Sequence, residues 1–266
     1  MNINKNRIST DKTHHLPDFT VTSYQTLLEA FIKKEYIFLG LVDFITQKSN
    51  KSIFLRHDVD HYTDRIEKFA KLEQTYGIKS TFYFRPPKKP QHHKTIETII
   101  KNGHDIGYHY NDLAENKGNF SLAKESFLKT LGGFRSLGEV KSVCMHGNVF
   151  SSINNLDFWK TARFMDFGLT GDPYLLIDHQ KTLYLTDTGR TWNRPRFSKW
   201  DKVNSPLSYH PASIGNIISD IENDSLPTTQ LHLCIHPQHY HSNFVKWTGY
   251  YLSQSLKNQI KALLIR

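Results

Sequence analysis

The sequence predicts an α/β fold organised on a parallel sheet. Short apolar runs alternate with amphipathic helical periods along almost the whole chain, the rhythm of strand–crossover–strand units. The 266 residues show no compositional break and no internal repeat, and α/β barrels of roughly 200–250 residues routinely form one domain. The apolar runs also end in polar, chemistry-bearing residues, as strands do when a site is built at their C-terminal ends. The rhythm alone leaves open a (β/α) barrel or an open doubly wound sheet.

Residues 1–20 show no apolar period and read as a flexible N-terminus, with the domain spanning 21–266. Ser23 to Lys33 is an amphipathic helix, followed by a short strand from Tyr36 and a helical stretch from Leu41 to Thr46. Ile53 to Arg56 opens a buried strand that runs into His57-Asp58-Val59-Asp60. A helix from Asp64 to Tyr76 places Ile66, Phe69, Ala70 and Leu72 on one face and stops at Gly77, where glycine commonly ends a helix. Ser80 to Phe84 is a strand closed by Arg85-Pro86-Pro87, because proline cannot continue the ladder. His93 to Lys101 is helical, Asp105 to Tyr110 a strand, Phe120 to Leu137 a long helix, and Val140 to Met145 a strand ending in His146-Gly147-Asn148. Asn155 to Phe164 reads as helix, Leu183 to Thr186 as a strand ending in Asp187-Thr188-Gly189-Arg190, and Arg190 to Pro206 as a long loop. Ile214 to Glu222 is helical, Leu231 to Ile235 a strand ending in His236, and Tyr250 to Ile265 the closing helix.

Hydrophobic residues at 38% and charged residues at 22% suit a globular protein, and 13% aromatics suit a groove with tyrosine and tryptophan. Cys144 and Cys234 lie inside apolar runs and read as buried free thiols. The N-terminus has no apolar core of a signal peptide and no run approaches a membrane span, so the expectation is a cytoplasmic protein without a transmembrane segment. The net charge of +9 is dispersed, with short clusters such as Arg85-Pro86-Pro87-Lys88-Lys89. No nucleic-acid-binding motif appears, so no nucleic-acid partner is expected. The charge is compatible with an acidic glycan or an anionic surface, and the Lys88-Lys89 pair reads as solvated.

Taken in order, the strand ends carry Asp58 and Asp60, Arg85, His109, His146, Asp187 with Arg190, and His236. Solvated faces do not readily produce such a series, and in a closed barrel all of it converges on one mouth. The order of HDVD, STFYF, GHDIGYH, DTGRTW and a late strand ending in histidine resembles the polysaccharide deacetylase family, the NodB-homology proteins of carbohydrate esterase family 4. The resemblance covers residues from about 50 to 240. It is nearer still to a branch found in bacterial surface-polysaccharide loci, with motifs such as RHDVD, CMHG and YLTDTGRRW.

The resemblance implies a distorted, seven-stranded (β/α) barrel and metal-assisted removal of N-acetyl groups from sugars. It makes Asp58 the catalytic base, and Asp60 and His109 ligands of a divalent metal, zinc first, with nickel, cobalt or manganese as alternatives. The family's second metal histidine falls at Leu113, which cannot bind a metal. A third ligand is then sought among Asp112, Asn111 and His146. His146 is preferred, because it ends the neighbouring strand and Gly147 permits close approach. His146 also stands where the family carries an arginine, a part that Arg56 or Arg85 would take over, with Arg85 placed in the catalytic set. His236 matches the general acid, oriented by Asp187. Tyr110 and Trp192, with Trp200, are expected to form a wall for the sugar, with Arg190 beside it. The expected substrate is an acetylated amino sugar or acidic glycan, a nucleotide- or lipid-linked precursor among them. An inert carbohydrate-binding barrel and an amidohydrolase of a non-sugar amide stay open beside it.

Overall fold

The computed structural model describes residues 17–47, 49–147, 150–192 and 199–264. Along the chain these form α1 (Val21–Lys33), β1 (Ile37–Leu39), α2 (Leu41–Thr46), β2 (Ser52–Val59), α3 (Asp64–Thr75), β3 (Thr81–Phe84), α4 (Pro90–Lys101), β4 (Asp105–Tyr110) and α5 (Asp112–Glu115). They continue with α6 (Phe120–Arg135), β5 (Val140–Met145), α7 (Pro173–Leu176), β6 (Leu183–Thr186), α8 (Ile214–Glu222), β7 (Gln230–Ile235) and α9 (Phe244–Leu264). All seven strands belong to one parallel sheet, with β5-β4-β3-β2-β7-β6 as its continuous path. β1 pairs with the first half of β2, Ile37 against Ser52, and β3 pairs with the second half, Arg56 against Thr81.

The fold is a distorted (β/α) barrel whose sheet does not close. β5 and β6 are its free ends, and the chain between them fills the gap. Gly171 bridges to Ser142 of β5, and Tyr174 of α7 meets the hydroxyl of Tyr184 in β6 at 3.1 Å.

Strand side chains alternate between two faces, and the two faces differ in chemistry. On the outer face Ile53, Leu55, Leu183, Leu185, Leu231 and Leu233 pack under α1 and α8, while Val59, Phe82, Phe84, Ile106 and Tyr108 pack under α3, α4 and α6. The inner positions hold Arg56 and Asp58, Tyr83, His109, Cys144, Tyr184, His232 and Cys234. Gly107 belongs to this inner face for a steric reason: a Cβ there would meet the Tyr83 ring at 2.4 Å. Around Arg56 the barrel interior is a polar network, while inward-facing Phe54 joins Tyr83 and Cys144 in a small apolar cluster.

Several elements depart from the sequence expectation. Residues 17–20 belong to the fold: Phe19 is buried against Trp192 and Tyr240, and Thr20 caps α1 by accepting from the Ser23 amide. The rest of the expected flexible N-terminus, 1–16, lies outside the described residues, as do Asn148, residues 193–198 of the expected loop and Ile265. The helix expected to reach Phe164 is a 3₁₀ turn over Asn155–Lys160. The closing helix starts at Phe244, six residues earlier than its apolar pattern suggested. α5 and α7, four residues each, are too short to display a helical period. Among the described residues no helix is long and apolar enough to cross a membrane.

Candidate metal centre and active site

Three side chains meet at the C-terminal ends of β2, β4 and β5. Asp60 Oδ1 lies 3.5 Å from His109 Nε2 and 3.6 Å from His146 Nε2. Bonds of about 2.0–2.1 Å in a tetrahedral arrangement place two ligands of one ion about 3.4 Å apart, so the spacing fits a shared divalent cation. Asp60 Oδ1 is also buried without a hydrogen-bond partner, an orphaned acceptor of the kind that buried sites do not leave without cause. The donor set therefore fits a metal. Other groupings of ligand-type side chains occur nearby, but those that include Asp58 involve a carboxylate already committed to Arg56.

The ligand set is held from behind. His109 Nδ1 donates to the Cys144 carbonyl at 3.0 Å, which turns the lone pair of Nε2 toward Asp60. Gln238 Nε2 donates to Asp60 Oδ2 at 3.2 Å, leaving Oδ1 for the cluster. The backbone of His146 is pinned twice, its amide donating to the Tyr110 carbonyl and its carbonyl accepting from Asn155 Nδ2. Burial lowers the pKa of His146 to about 3 despite the pull of Asp60, so the imidazole is in its neutral, ligating form. Burial works against an ionised Asp60, but the neighbouring His109, His146 and His236 outweigh it and hold the carboxyl well below the usual carboxylate range.

The alternatives for the third ligand are turned away. Asp112 accepts from Tyr108 and Ser126, and Asn111 is engaged by Glu115 and Asn155. Leu113 lies in the apolar cluster under α6.

Asp58 sits 3.7 Å from His109, on the inner side of the cluster. Arg56, wholly buried, grips it with Nε on Oδ1 at 2.8 Å and Nη2 on Oδ2 at 2.9 Å. Burial pushes Asp58 up, and the fields of Arg56, His109 and His236 override it, so its pKa is lowered. The same guanidinium donates to Tyr174 Oη and lies 3.2 Å from His232 Nε2. Tyr174, Tyr184 and Thr188 in turn donate to Asp201.

On the other wall His236 Nδ1 and Asp187 Oδ1 are 2.6 Å apart, and the His236 amide also donates to this carboxylate. Burial alone would lower the imidazole; the field and hydrogen bond of Asp187 prevail and raise it to about 9. Asp58, Asp60, His109, His146 and His236 all line one cavity of about 180 Å³.

Other expected site residues lie elsewhere. Arg85 does not reach Asp58; it donates to Glu115 and to the His109 carbonyl, in the groove beside the cavity. Tyr110 is buried on the outer face of β4, donating to Asp172 and accepting from Trp159. It cannot form a sugar wall, because it neighbours His109 on a strand and must point the opposite way. Trp192 is a core residue stacked on Phe19, and Trp200 packs against the outer cluster with Nε1 donating to the Ser151 carbonyl. Arg190, with positive φ after Gly189, is buried among aromatic rings, its guanidinium 4.4 Å from the Trp247 centroid. Gly189 and Thr188 line the cavity in its place. Asn155, Gln238, Tyr174 and Asp201 escaped sequence reasoning, since none belongs to a motif and each acts from a connection between strands.

Fold and geometry together define a distorted (β/α) barrel with a candidate hydrolytic centre at the C-terminal ends of its strands. No family model and no curated protein matches the sequence. Among solved structures the chain is similar to a family 4 carbohydrate esterase from Bacillus anthracis, at 14% identity over 88% of this chain and 85% of that one, with a TM-score of 0.43. It is also similar to a CE4 esterase from Streptococcus mutans, at 13% identity, coverages of 83% and 85% and a TM-score of 0.46. A chitin deacetylase from Colletotrichum lindemuthianum shares 13% identity over 79% of this chain and 82% of its own, with a TM-score of 0.45.

Proposed function

We propose that the protein is a divalent-metal-dependent hydrolase that removes an acyl group, most simply N-acetyl, from an amino sugar. The observation that carries this reading is the convergence of Asp60, His109 and His146 on one point, with Asp58 and His236 lining the same cavity. Asp60 and the two histidines would hold the ion. When bound, a divalent ion polarises the acyl carbonyl and acidifies the attacking water.

The chain's own groups supply the proton transfers. Asp58, kept ionised and fixed in angle by Arg56, accepts a proton from water as its oxygen attacks the acyl carbon. His236, held protonated by Asp187, donates its Nε2 proton to the amine nitrogen as the carbon–nitrogen bond breaks. The products are the free carboxylate and the amine. Asp187 orients the acid and compensates its charge throughout.

The test is metal analysis of the purified protein alongside acetate release from N-acetylated amino sugars. One equivalent of zinc or a similar ion, lost in Asp60→Ala and His109→Ala, is expected. Asp58→Asn should keep the metal while acetate release collapses. Protein that takes up no divalent ion from zinc, nickel, cobalt or manganese would refute the proposal.

A further inference from the structure

Beside the cavity runs a wider groove of about 870 Å³, and Asp60 and His146 line both. The charges around them do not balance. Asp58 is paired with Arg56, Asp187 with His236, and Arg85 with Glu115. Asp60 would be matched by the ion. That leaves Lys88 and Lys89 on one side of the groove, with Lys257 and Lys261 from α9 at the mouth of the cavity. Among the described residues none of these four makes an ion pair, although the chain pairs many other lysines.

Lys257 and Lys261 are one helical turn apart, where like charges repel and destabilise the helix. Lys261 is also partly buried: burial and the field of Lys257 push its pKa down, against the pull of Asp60. A cation in that position is unfavourable unless something anionic occupies the space before it. Asp201 lies in the inner cavity and is already engaged by three hydroxyl groups, so it is not placed to serve the groove.

We infer that this groove is an anion subsite, and that the substrate is an acylated amino sugar that also carries a phosphate or carboxylate. The lysines would bind the anionic group and so place the acyl group over the Asp60–His109–His146 cluster. The inference rests on the proposed hydrolase for its substrate, but the subsite itself can be tested without turnover.

The full-length protein as purified is titrated calorimetrically with N-acetylglucosamine, N-acetylglucosamine 1-phosphate and a hyaluronan tetrasaccharide. At low ionic strength one of the anionic sugars is expected to bind at least about tenfold more tightly than the neutral one, with the advantage shrinking as salt screens it. A preference for the 1-phosphate identifies phosphate as the group, and a preference for the tetrasaccharide identifies carboxylate. The preference should vanish in Lys257→Gln/Lys261→Gln, while the thermal unfolding temperature does not fall, because the change relieves the repulsion between the two cations. Equal binding of neutral and anionic sugars overturns the subsite. So does a preference that survives both this double variant and Lys88→Gln/Lys89→Gln, since the anion would then be meeting the metal. Anion preference without acetate release from any sugar would sink the hydrolase reading and leave the subsite standing; deacetylation without anion preference would do the reverse.

Discussion

Arg56 and Asp58 lie two residues apart on β2 and meet side by side on its inner face, in a two-pronged ion pair shielded from solvent. Strand alternation makes this possible, because residues i and i+2 share a face. The guanidinium is further fixed by Tyr174 and lies against His232, so Asp58 has one available orientation. A carboxylate paired within its own strand needs no arginine from a distant motif.

Replacing Arg56 by Met would leave the Asp58 carboxylate buried and uncompensated. Breaking a buried pair in this way costs about 3–5 kcal/mol, and equilibrium urea unfolding should show a loss of that size. Arg56→Lys keeps the charge but not the fork, so it should lose less stability while acetate release still falls sharply. A stability unchanged in Arg56→Met would mean that the pair does not hold the barrel interior together.

The convergence of strand ends was legible in the sequence because apolar runs announce parallel strands, and each run stopped at a residue with chemistry. His146 could be preferred as a third ligand on the same ground: it ends the strand beside His109. Neighbours in sequence are not neighbours in space. The parity of β4 sends Tyr110 to the outer face if His109 points inward, so the expected sugar wall cannot include it. Trp192 and Arg190 follow a turn with positive φ at Gly189 and Arg190, which swings the chain out of the cavity into an aromatic core; no periodicity marks that turn. The sequence reading puts Arg85 in the catalytic set, whereas the alternation of β2 sets Arg56 on the face of Asp58. Asn155 and Gln238 were invisible because their roles depend on where irregular connections return to the sheet.

The pH dependence should follow His236. Its folded pKa of about 9 is above the ordinary value of 6.5. The stability it contributes is therefore fully present below 6.5 and is lost as pH rises through about 9. Acetate release that needs the protonated imidazole should decline over the same alkaline range. In Asp187→Asn the raising influence disappears and burial prevails, so the alkaline limb of kcat/KM should move toward acid. A limb that stays in place would remove His236 from the role of general acid.

Asn155 and Leu113 make opposite predictions about the metal. Asn155 braces the His146 carbonyl against Asn111 and Ala114, and loss of a group that orients a ligand typically weakens metal affinity 10–100-fold. Asn155→Ala should therefore need more zinc to saturate in a chelator competition. Leu113→Ala should leave that affinity unchanged while costing about 2–5 kcal/mol for the cavity in the core. A metal affinity that responds to Leu113 and ignores Asn155 would overturn the assignment of His146.

The histidine of the HDVD motif should prove structural. His57 points to the outer face of β2, opposite to Asp58, and its Nε2 lies 2.7 Å from Glu73 Oε1. Glu73, wholly buried, also accepts from Tyr24 Oη at 2.7 Å and from Ser80 Oγ at 2.5 Å. Burial pushes Glu73 up, but His57 and His104 together with the hydrogen bond from Ser80 lower its pKa. The stability it contributes is thus present above the ordinary glutamate range and is lost as pH falls through its depressed folded value. Glu73→Ala should cost about 3–5 kcal/mol, as expected for stripping a buried histidine–carboxylate contact of one partner. It should also flatten the acid limb of stability against pH. His57→Gln should likewise destabilise the fold while metal content and kcat stay close to those of the unaltered protein, since its side chain never enters the cavity. Asp58→Asn should do the opposite, keeping metal and losing turnover. If His57→Gln abolishes acetate release in protein that is still folded at the assay temperature, the two faces of β2 are not functionally separate and the division of the motif fails.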